Sequence, residues 1–464
     1  MNYALYQNYK PGNSDWLREI PDTWQQIRSR FVMGVNPSPE RLRDLDETDE
    51  VSFVPMEAVG EYGGLNLERS KSLDEIGSGY TEFEDGDVVV AKITPCFENG
   101  KGALAEGLLN GVAFGTTELH VLRAGQQLDA RFLFYLTISH TFRKLGESEM
   151  YGAGGQKRVP PEFAKDFRVP LPRVDEQEAI VRFLDAKTAQ IDALVAKKRQ
   201  LIAKLKEKRS ALIARTVTRG LPPEVAKAAG LEPNPEMKPL SAAWADECPR
   251  HWEVWKIAHG FRITGSGTTP PSDNEDWYDG DVPWVTTSEL RESVIHDTSK
   301  KVSKAAINEL SALKIFPAGA LAIAMYGATI GRLGILGVPS TTNQACCVLA
   351  EGIAFDKDFL FCWFQAFREQ IVMLATGGGQ PNISQEKIRS LRIPCPDLEE
   401  QQQIALFLKS ETEKIDGLVE ATESAIDRLT EYRQALITSA VTGKIDVRNL
   451  DYHGVENHAS AALS

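Results

Sequence analysis

The chain has no apolar run approaching the roughly 20 residues that a membrane-spanning helix requires. Its start, MNYALYQNYKPGNSDW, lacks a basic segment followed by an apolar one. A cytoplasmic protein is expected. Cysteine is sparse: the six residues (Cys96, Cys248, Cys346, Cys347, Cys362, Cys395) contain no C-x-x-C, so neither a disulfide framework nor a zinc site is indicated. The seven histidines are scattered without H-E-x-x-H spacing, and no metal is expected. GAGGQKR lacks the spacing of a phosphate-binding G-x-x-x-x-G-K-[ST] loop, GATIGRLG fits no nucleotide fingerprint, and G-x-S-x-G is missing. The DGD pairs, Asp85 with Asp87 and Asp279 with Asp281, are read as turns. No catalytic constellation is legible, so no enzyme activity and no cofactor are expected. Positive charge is also short, with 52 Lys and Arg against 65 Asp and Glu, a net charge of -13. That excludes a nonspecific nucleic-acid coat, which depends on an overall positive field. A local exception runs from Lys197 to Arg219, where basic residues face the single acid Glu207; taken alone it reads as a solvated helix face.

What the 464 residues do contain is a duplication. DEQEAIVRFLDAKTAQID, from Asp175, returns 224 positions later as EEQQQIALFLKSETEKID, from Glu399. KPGNSDWLREIPDTW, ending at Trp24, aligns without gaps on KPLSAAWADECPRHW, ending at Trp252. Gly154-Gly155-Gln156 falls on Gly378-Gly379-Gln380, VPLP on IPCP, and RSALIARTVT on RQALITSAVT. The middles match only in outline, as DVVVAKI against GALAIAM and GTTELHVLRA against STTNQACCVLA. A constant frame therefore carries two variable inserts of roughly 150 residues, a common domain size.

From Ile180 the apolar residues, among them Phe183, Leu184, Ile191 and Leu194, recur at helical spacing, and Phe407, Leu408, Ile415 and Leu418 repeat them. Two amphipathic helices of about 40 residues, roughly 60 Å long, can bury such stripes against each other as a coiled coil. The inserts alternate strand-like runs with apolar helical stretches, which predicts an α/β (α+β) fold of two domains. The expected boundaries are a first domain at 1–173, a long helix at 174–218, a Pro- and Gly-rich linker at 219–247, a second domain at 248–396, a second helix at 397–445 and a flexible tail at 446–464.

The polar, Gly-rich loops suit a polyanion that displays base edges, because Gln and Asn can bond adenine, Arg and Lys can bond guanine, and Gly lets the backbone approach phosphate. Candidates in the first half are Lys92, Thr94, Asn99, Lys101, Gln156, Lys157 and Arg158. In the second half they are Thr268, Thr269, Tyr326, Thr329, Arg332, Asn343, Gln344, Gln380 and Asn382.

These residues carry a resemblance. The two Glu-Gln/Phe-Leu/Ile-Asp helices, the IPDTW and CPRHW entries, and GSGTTPPSDNEDWYDGDVPWVTTSEL make the chain, from about Trp16 to Asp446, similar to the specificity subunits of Type I restriction-modification systems. The resemblance implies two target-recognition domains, each reading one half of a bipartite asymmetric DNA sequence. It also implies long helices that pair antiparallel about a pseudo-two-fold repeat, set the spacer and dock two methyltransferase subunits. Adenine methylation and ATP-dependent cleavage then belong to methyltransferase and restriction/translocase partners. The first half carries VNPSPERLRDLDET where the second has TPPSDNEDWYDGDVPW. A different class, a nonenzymatic coiled-coil scaffold whose two α/β domains bind protein or peptide, is the alternative; an autonomous restriction or methylation enzyme would need a cofactor motif that is not legible.

Overall fold

The computed structural model describes residues 3–153, 155–242, 244–375 and 381–450. They divide into two units, Met1–Arg199 with Ser424–Ser464, and Gln200–Glu423. Each unit takes a segment of both long helices, which run over Val174–Arg219 and Leu398–Val441.

The central strands follow one plan in both units. In the first, Leu119–Ala124 lies antiparallel between Met33–Val35 and Asp87–Ala91, and Gly102–Leu104 pairs the outer edge of Asp87–Ala91. In the second, Cys346–Gly352 lies antiparallel between Phe261–Gly265 and Leu321–Ala324, and Leu333–Leu336 takes the outer edge. A second sheet in each holds one parallel pair, Glu50–Val54 with Val112–Gly115 and Val282–Val285 with Thr341–Thr342. The inserts that match only in outline thus share one central strand plan, to which the second adds Ser293–Ile295 parallel to Leu333–Leu336. Their central strands, DVVVA and LAIA, are buried throughout, so Val, Ala, Ile and Leu interchange there without altering backbone pairing. The first DGD is a turn: Gly86 has φ 93°, while buried Asp87 holds the Arg123 guanidinium at 2.7 and 2.8 Å.

The repeated Glu-Gln has a geometric reason. Glu176, on the first turn of its helix, is buried and accepts the Trp24 indole N–H at 3.0 Å and the Tyr6 hydroxyl at 2.8 Å. Glu400 accepts the Trp252 indole N–H at 3.0 Å. Gln177 accepts the Asp129 N–H at 2.8 Å and donates to the Gln127 and Pro172 carbonyls, both at 2.9 Å. Gln401 does the same with the Asp356 N–H at 2.7 Å and the Ala354 and Pro396 carbonyls at 2.7 and 2.8 Å. Asp129 and Asp356 cap the helices Ala130–Ile138 and Lys357–Ala366. The motif therefore ties the front Trp and the inner helix of each unit to the start of a long helix. It works through polar groups that are fully buried and satisfied.

Within each unit the two helices pair antiparallel. In the first, Ile191, Leu436, Ile437, Ala440 and Val441 share one core with Trp24, Phe132, Phe183 and Leu184, and Arg433 holds Asp192 at 3.0 Å. In the second, Ile213, Val217, Ile404 and Leu408 pack with Trp252, Phe359 and Trp363, and Arg209 holds Asp416 at 2.9 Å. The two ion pairs exchange under the 224-residue offset.

The stretch 219–247, expected as a linker, is built into the second unit. The first helix ends at Gly220, φ 82°, as the Gly and Pro signal implied. Beyond it lie a short helix, Pro223–Ala228, and a hairpin of Met237–Ala242 with Ala245–Pro249, with Leu221, Ala226 and Leu240 buried. The hairpin is the mate of Tyr9–Ser14 with Leu17–Pro21. Aperiodic spacing hid these apolar residues, because burial needs no helical or strand period when the partner surface is irregular. The second helix stops at Val441, four residues short of the expected boundary. The start of the expected tail is also fixed: the Asp446 N–H bonds the Ala4 carbonyl at 2.8 Å, Val447 is buried, and Arg448 pairs with Asp446 at 2.7 Å. Residues 451–464 lie outside the described residues.

Cys248, Cys346, Cys347 and Cys395 act as buried hydrophobes while Cys96 and Cys362 are partly exposed, and burial pushes the thiols of Cys346, Cys347, Cys362 and Cys395 up to about 12.

Candidate nucleic-acid interface

In each unit the inner strand, after its last ladder pair, runs on into a loop that is gripped from both sides. In the first unit the Lys92 N–H bonds the Glu118 carbonyl at 2.9 Å, and the Val159 N–H bonds the Lys92 carbonyl at 2.8 Å. The Lys157 carbonyl accepts the Thr94 N–H at 3.0 Å and the Thr94 hydroxyl at 3.2 Å. Tyr151 and Arg158 close the tip by two backbone bonds, 2.9 and 3.2 Å. Gly152, φ 145°, sits where a Cβ would lie 2.4 Å from the Gln156 carbonyl, so this turn demands glycine. Lys92, Thr94, Gln156, Lys157 and Arg158, far apart in sequence, thus meet at one sheet end, with Gln156 and Lys157 exposed.

Two expected residues have partners within the fold. The Lys101 ammonium donates to the Met56 and Val59 carbonyls, both at 3.0 Å, and stitches its loop to the neighbouring one. The Arg158 guanidinium is engaged by Glu118, with Nε 2.9 and 3.1 Å from the two carboxylate oxygens and Nη2 2.7 Å from Oε1. That bond holds the Glu118 carboxyl below the usual carboxylate range. Asn99 is exposed on the loop from Pro95 to Lys101, which the buried Arg143 supports from below through a 2.9 Å bond to the Phe97 carbonyl. His120 is buried, and its Nε2 bonds the Val159 carbonyl at 2.8 Å, which fixes the proton on that nitrogen. Desolvation lowers its pKa.

The second unit repeats the grip with other side chains. The Met325 N–H bonds the Ala345 carbonyl at 2.8 Å, and the Ile383 N–H bonds the Met325 carbonyl at 2.9 Å. Tyr326 and Asn382 form an antiparallel bridge, and both are exposed. The Thr329 hydroxyl bonds the Tyr326 carbonyl at 2.8 Å, and the Arg332 N–H bonds the Thr329 carbonyl at 2.9 Å. The Thr269 hydroxyl donates to the Gln344 side-chain oxygen at 2.6 Å, the Trp284 indole donates to the Thr268 carbonyl at 3.1 Å, and the Asn343 side-chain oxygen accepts the Ala345 N–H at 3.2 Å. Thr268, Thr269, Tyr326, Thr329, Arg332, Asn343, Gln344 and Asn382 therefore share one sheet end. Gln380 lies outside the described residues. In TPPSDNEDWYDGDVPW, Trp277, Tyr278 and Trp284 gather into a small core of their own with Val302 and Leu313, so these aromatics hold the loop together.

Sequence reasoning missed Glu118, His120 and Tyr151, the last 65% exposed beside Arg158. The signal for Glu118 was the alignment of GTTELHV with STTNQACCV, where an acid next to a strand has an uncharged counterpart.

A protein-family model described as the Type I restriction modification DNA specificity domain matches residues 79–204 and 249–426, well over half of the chain. The chain belongs to that family. Among curated relatives, the EcoEI specificity subunit of Escherichia coli is 39% identical over 165 residues, 35% of this chain and 27% of that protein. The EcoAI subunit is likewise matched over 28% of its length, so the chain aligns with little more than a quarter of these two relatives. The MjaVIII specificity subunit of Methanocaldococcus jannaschii is 22% identical over 97% of this chain and 99% of its own. Solved structures share the fold. A chain from work on complex assembly and conformational transition of the type I R-M system has a TM-score of 0.68 at 18% identity, covering 92% of this chain and 99% of the other. The HsdS subunit from Thermoanaerobacter tengcongensis has a TM-score of 0.52 at 18% identity, covering 92% and 98%. The two long helices and the two α/β units of this specificity-family chain follow that architecture.

Proposed function

We propose that the chain is the DNA sequence-recognition subunit of a Type I restriction-modification complex. Residues 1–173 and 248–396 are the two readers, each taking one half of a bipartite asymmetric target, and the long helices set the spacer. One observation carries this reading: a single strand-and-loop grip occurs in both units and presents different side chains at matched places, Arg158 bridged to Ile93 in one and Asn382 bridged to Tyr326 in the other. Two readers with one frame and unlike tips suit two unlike half-sites. The chain itself performs no chemistry. Methylation and ATP-dependent cleavage reside in methyltransferase and restriction/translocase partners in the cytoplasm, and those partners supply much of the positive surface that a chain of net charge -13 lacks for phosphate. Leu194 and Leu418, mates under the repeat and exposed at 44% and 56%, are the places on the helices for two copies of one methyltransferase subunit.

Methylome sequencing of cells with and without this chain tests the proposal. Deleting the chain should abolish methylation at one bipartite motif; a methylome without any such chain-dependent motif refutes it.

A further inference from the structure

Arg158 stands at the candidate interface with its guanidinium plane fixed. Glu118 takes the Nε edge and one Nη2 hydrogen, which leaves the Nη1/Nη2 edge, two parallel N–H donors, without a partner among the described residues. The pair is no internal strut, since the Arg158 side chain is 41% exposed and that of Glu118 22%, and exposed ion pairs contribute little to stability. The backbone bonds of the two units equate Lys92 with Met325, Glu118 with Ala345, Val159 with Ile383 and Arg158 with Asn382. Where the arginine is replaced by an amide, the carboxylate has gone as well. Arg and Glu thus change together on a backbone frame that the two units share.

We infer that Glu118 is a positioning residue that aims the free edge of Arg158 at guanine O6 and N7, so that the half-site read by the first unit contains a G·C pair. A guanidinium held by its Nε side offers the fork that guanine accepts bidentately. The carboxylate beside it repels phosphate and so keeps the arginine from settling on the DNA backbone, where it would carry no sequence information. Asn382, with Ala345 where the first unit has Glu118, offers an amide suited to adenine at the same place in the second reader.

This inference rests on the proposed function and goes beyond it. The test is methylome sequencing of cells carrying the full chain as wild type, Arg158→Lys or Glu118→Gln. Arg158→Lys keeps the charge and loses the fork; Glu118→Gln keeps the size and loses the charge and one of the two oxygens that hold the guanidinium. Both should turn one G·C position of one half-motif degenerate, with guanine preference there falling roughly 5- to 100-fold, the range of a lost bidentate contact. The other half-motif should be unchanged. Retention of that guanine in both variants, or a uniform fall of methylation at every site, overturns the inference. Absence of a bipartite motif with the wild-type chain would instead sink the proposed function itself.

Discussion

At the scale of single residues, the glutamine of each Glu-Gln pair bears the largest structural duty. Truncating Gln177 to Ala removes the partner of the Asp129 N–H and of the Gln127 and Pro172 carbonyls. Each buried polar group left unpaired costs about 1–3 kcal/mol. Gln177→Ala should therefore lower stability by about 3 kcal/mol or more, seen as a lower urea midpoint, whereas exposed Gln190→Ala should stay within about 0.5 kcal/mol of wild type. A second residue-scale prediction concerns pH. Burial lowers the His120 pKa below its unfolded value of about 6.5. Below that pH the unfolded chain binds a proton that the folded chain refuses, so the stability contributed by neutral His120 is complete above about 6.5 and is lost as the pH falls toward the folded pKa. In His120→Gln this loss disappears. The stability gap between wild type and variant should narrow between about pH 7.5 and 5.5; a gap that widens on acidification refutes the assignment.

At the scale of elements, the long helices carry an internal comparison. Gly417 is exposed in the middle of the second helix, and a Cβ there would meet nothing within 4 Å. Its mate in the first helix is Ala193. Glycine inside a helix is less favourable than alanine by about 1 kcal/mol, so Gly417→Ala should raise stability by about 0.5–1 kcal/mol with DNA recognition unchanged, as thermal unfolding of the two proteins would measure. The helices were also the most legible elements in the sequence, because a 3.6-residue period over more than ten turns has no rival reading. Their partners were not legible. Periodicity shows that Phe183, Leu184 and Leu408 are apolar, and only the fold shows that they lie in the cores of their own units while Leu194 and Leu418 face solvent. The same limit applies to the interface. Gly-rich, polar loops pointed to Gln156, Lys157 and Asn382, whereas Lys101 is occupied by two carbonyls and Glu118 was not singled out. Those assignments depend on contacts between segments 40 residues apart, and no local pattern records them.

At the scale of the whole molecule, the duplication gives the two helices matching stripes, and this has a measurable consequence. In the first unit the core is completed by Leu436, Ile437 and Val441 of the second helix. Their mates in the first helix are Leu212, Ile213 and Val217, so two copies of a fragment from Met1 to about Pro223 can offer each other nearly the same side chains. The ion pairs transfer too: Asp192–Arg433 and Arg209–Asp416 both become Asp192 of one copy with Arg209 of the other. The fragment is expected to dimerise about a true two-fold axis and, with methyltransferase partners, to recognise an inverted palindrome of one native half-site. The opposing term is charge. Lys197, Lys204, Lys206 and Lys208 are exposed along the first helix and would face their own copies, whereas the second helix offers Glu420, Glu423, Asp427 and Glu431. Each such repulsion is screened over a Debye length of about 10 Å at 0.1 M salt and about 3 Å at 1 M, while apolar burial is not weakened by salt. Dimerisation should therefore strengthen as ionic strength rises, opposite to an association held by attraction between unlike charges. Sedimentation of the fragment across a salt series decides the matter: a folded monomer at every salt concentration and micromolar loading would mean that Ala440 against Thr216, Gln434 against Ser210 and the loss of the Arg448–Glu176 contact outweigh the shared stripe, and the helices would not be interchangeable.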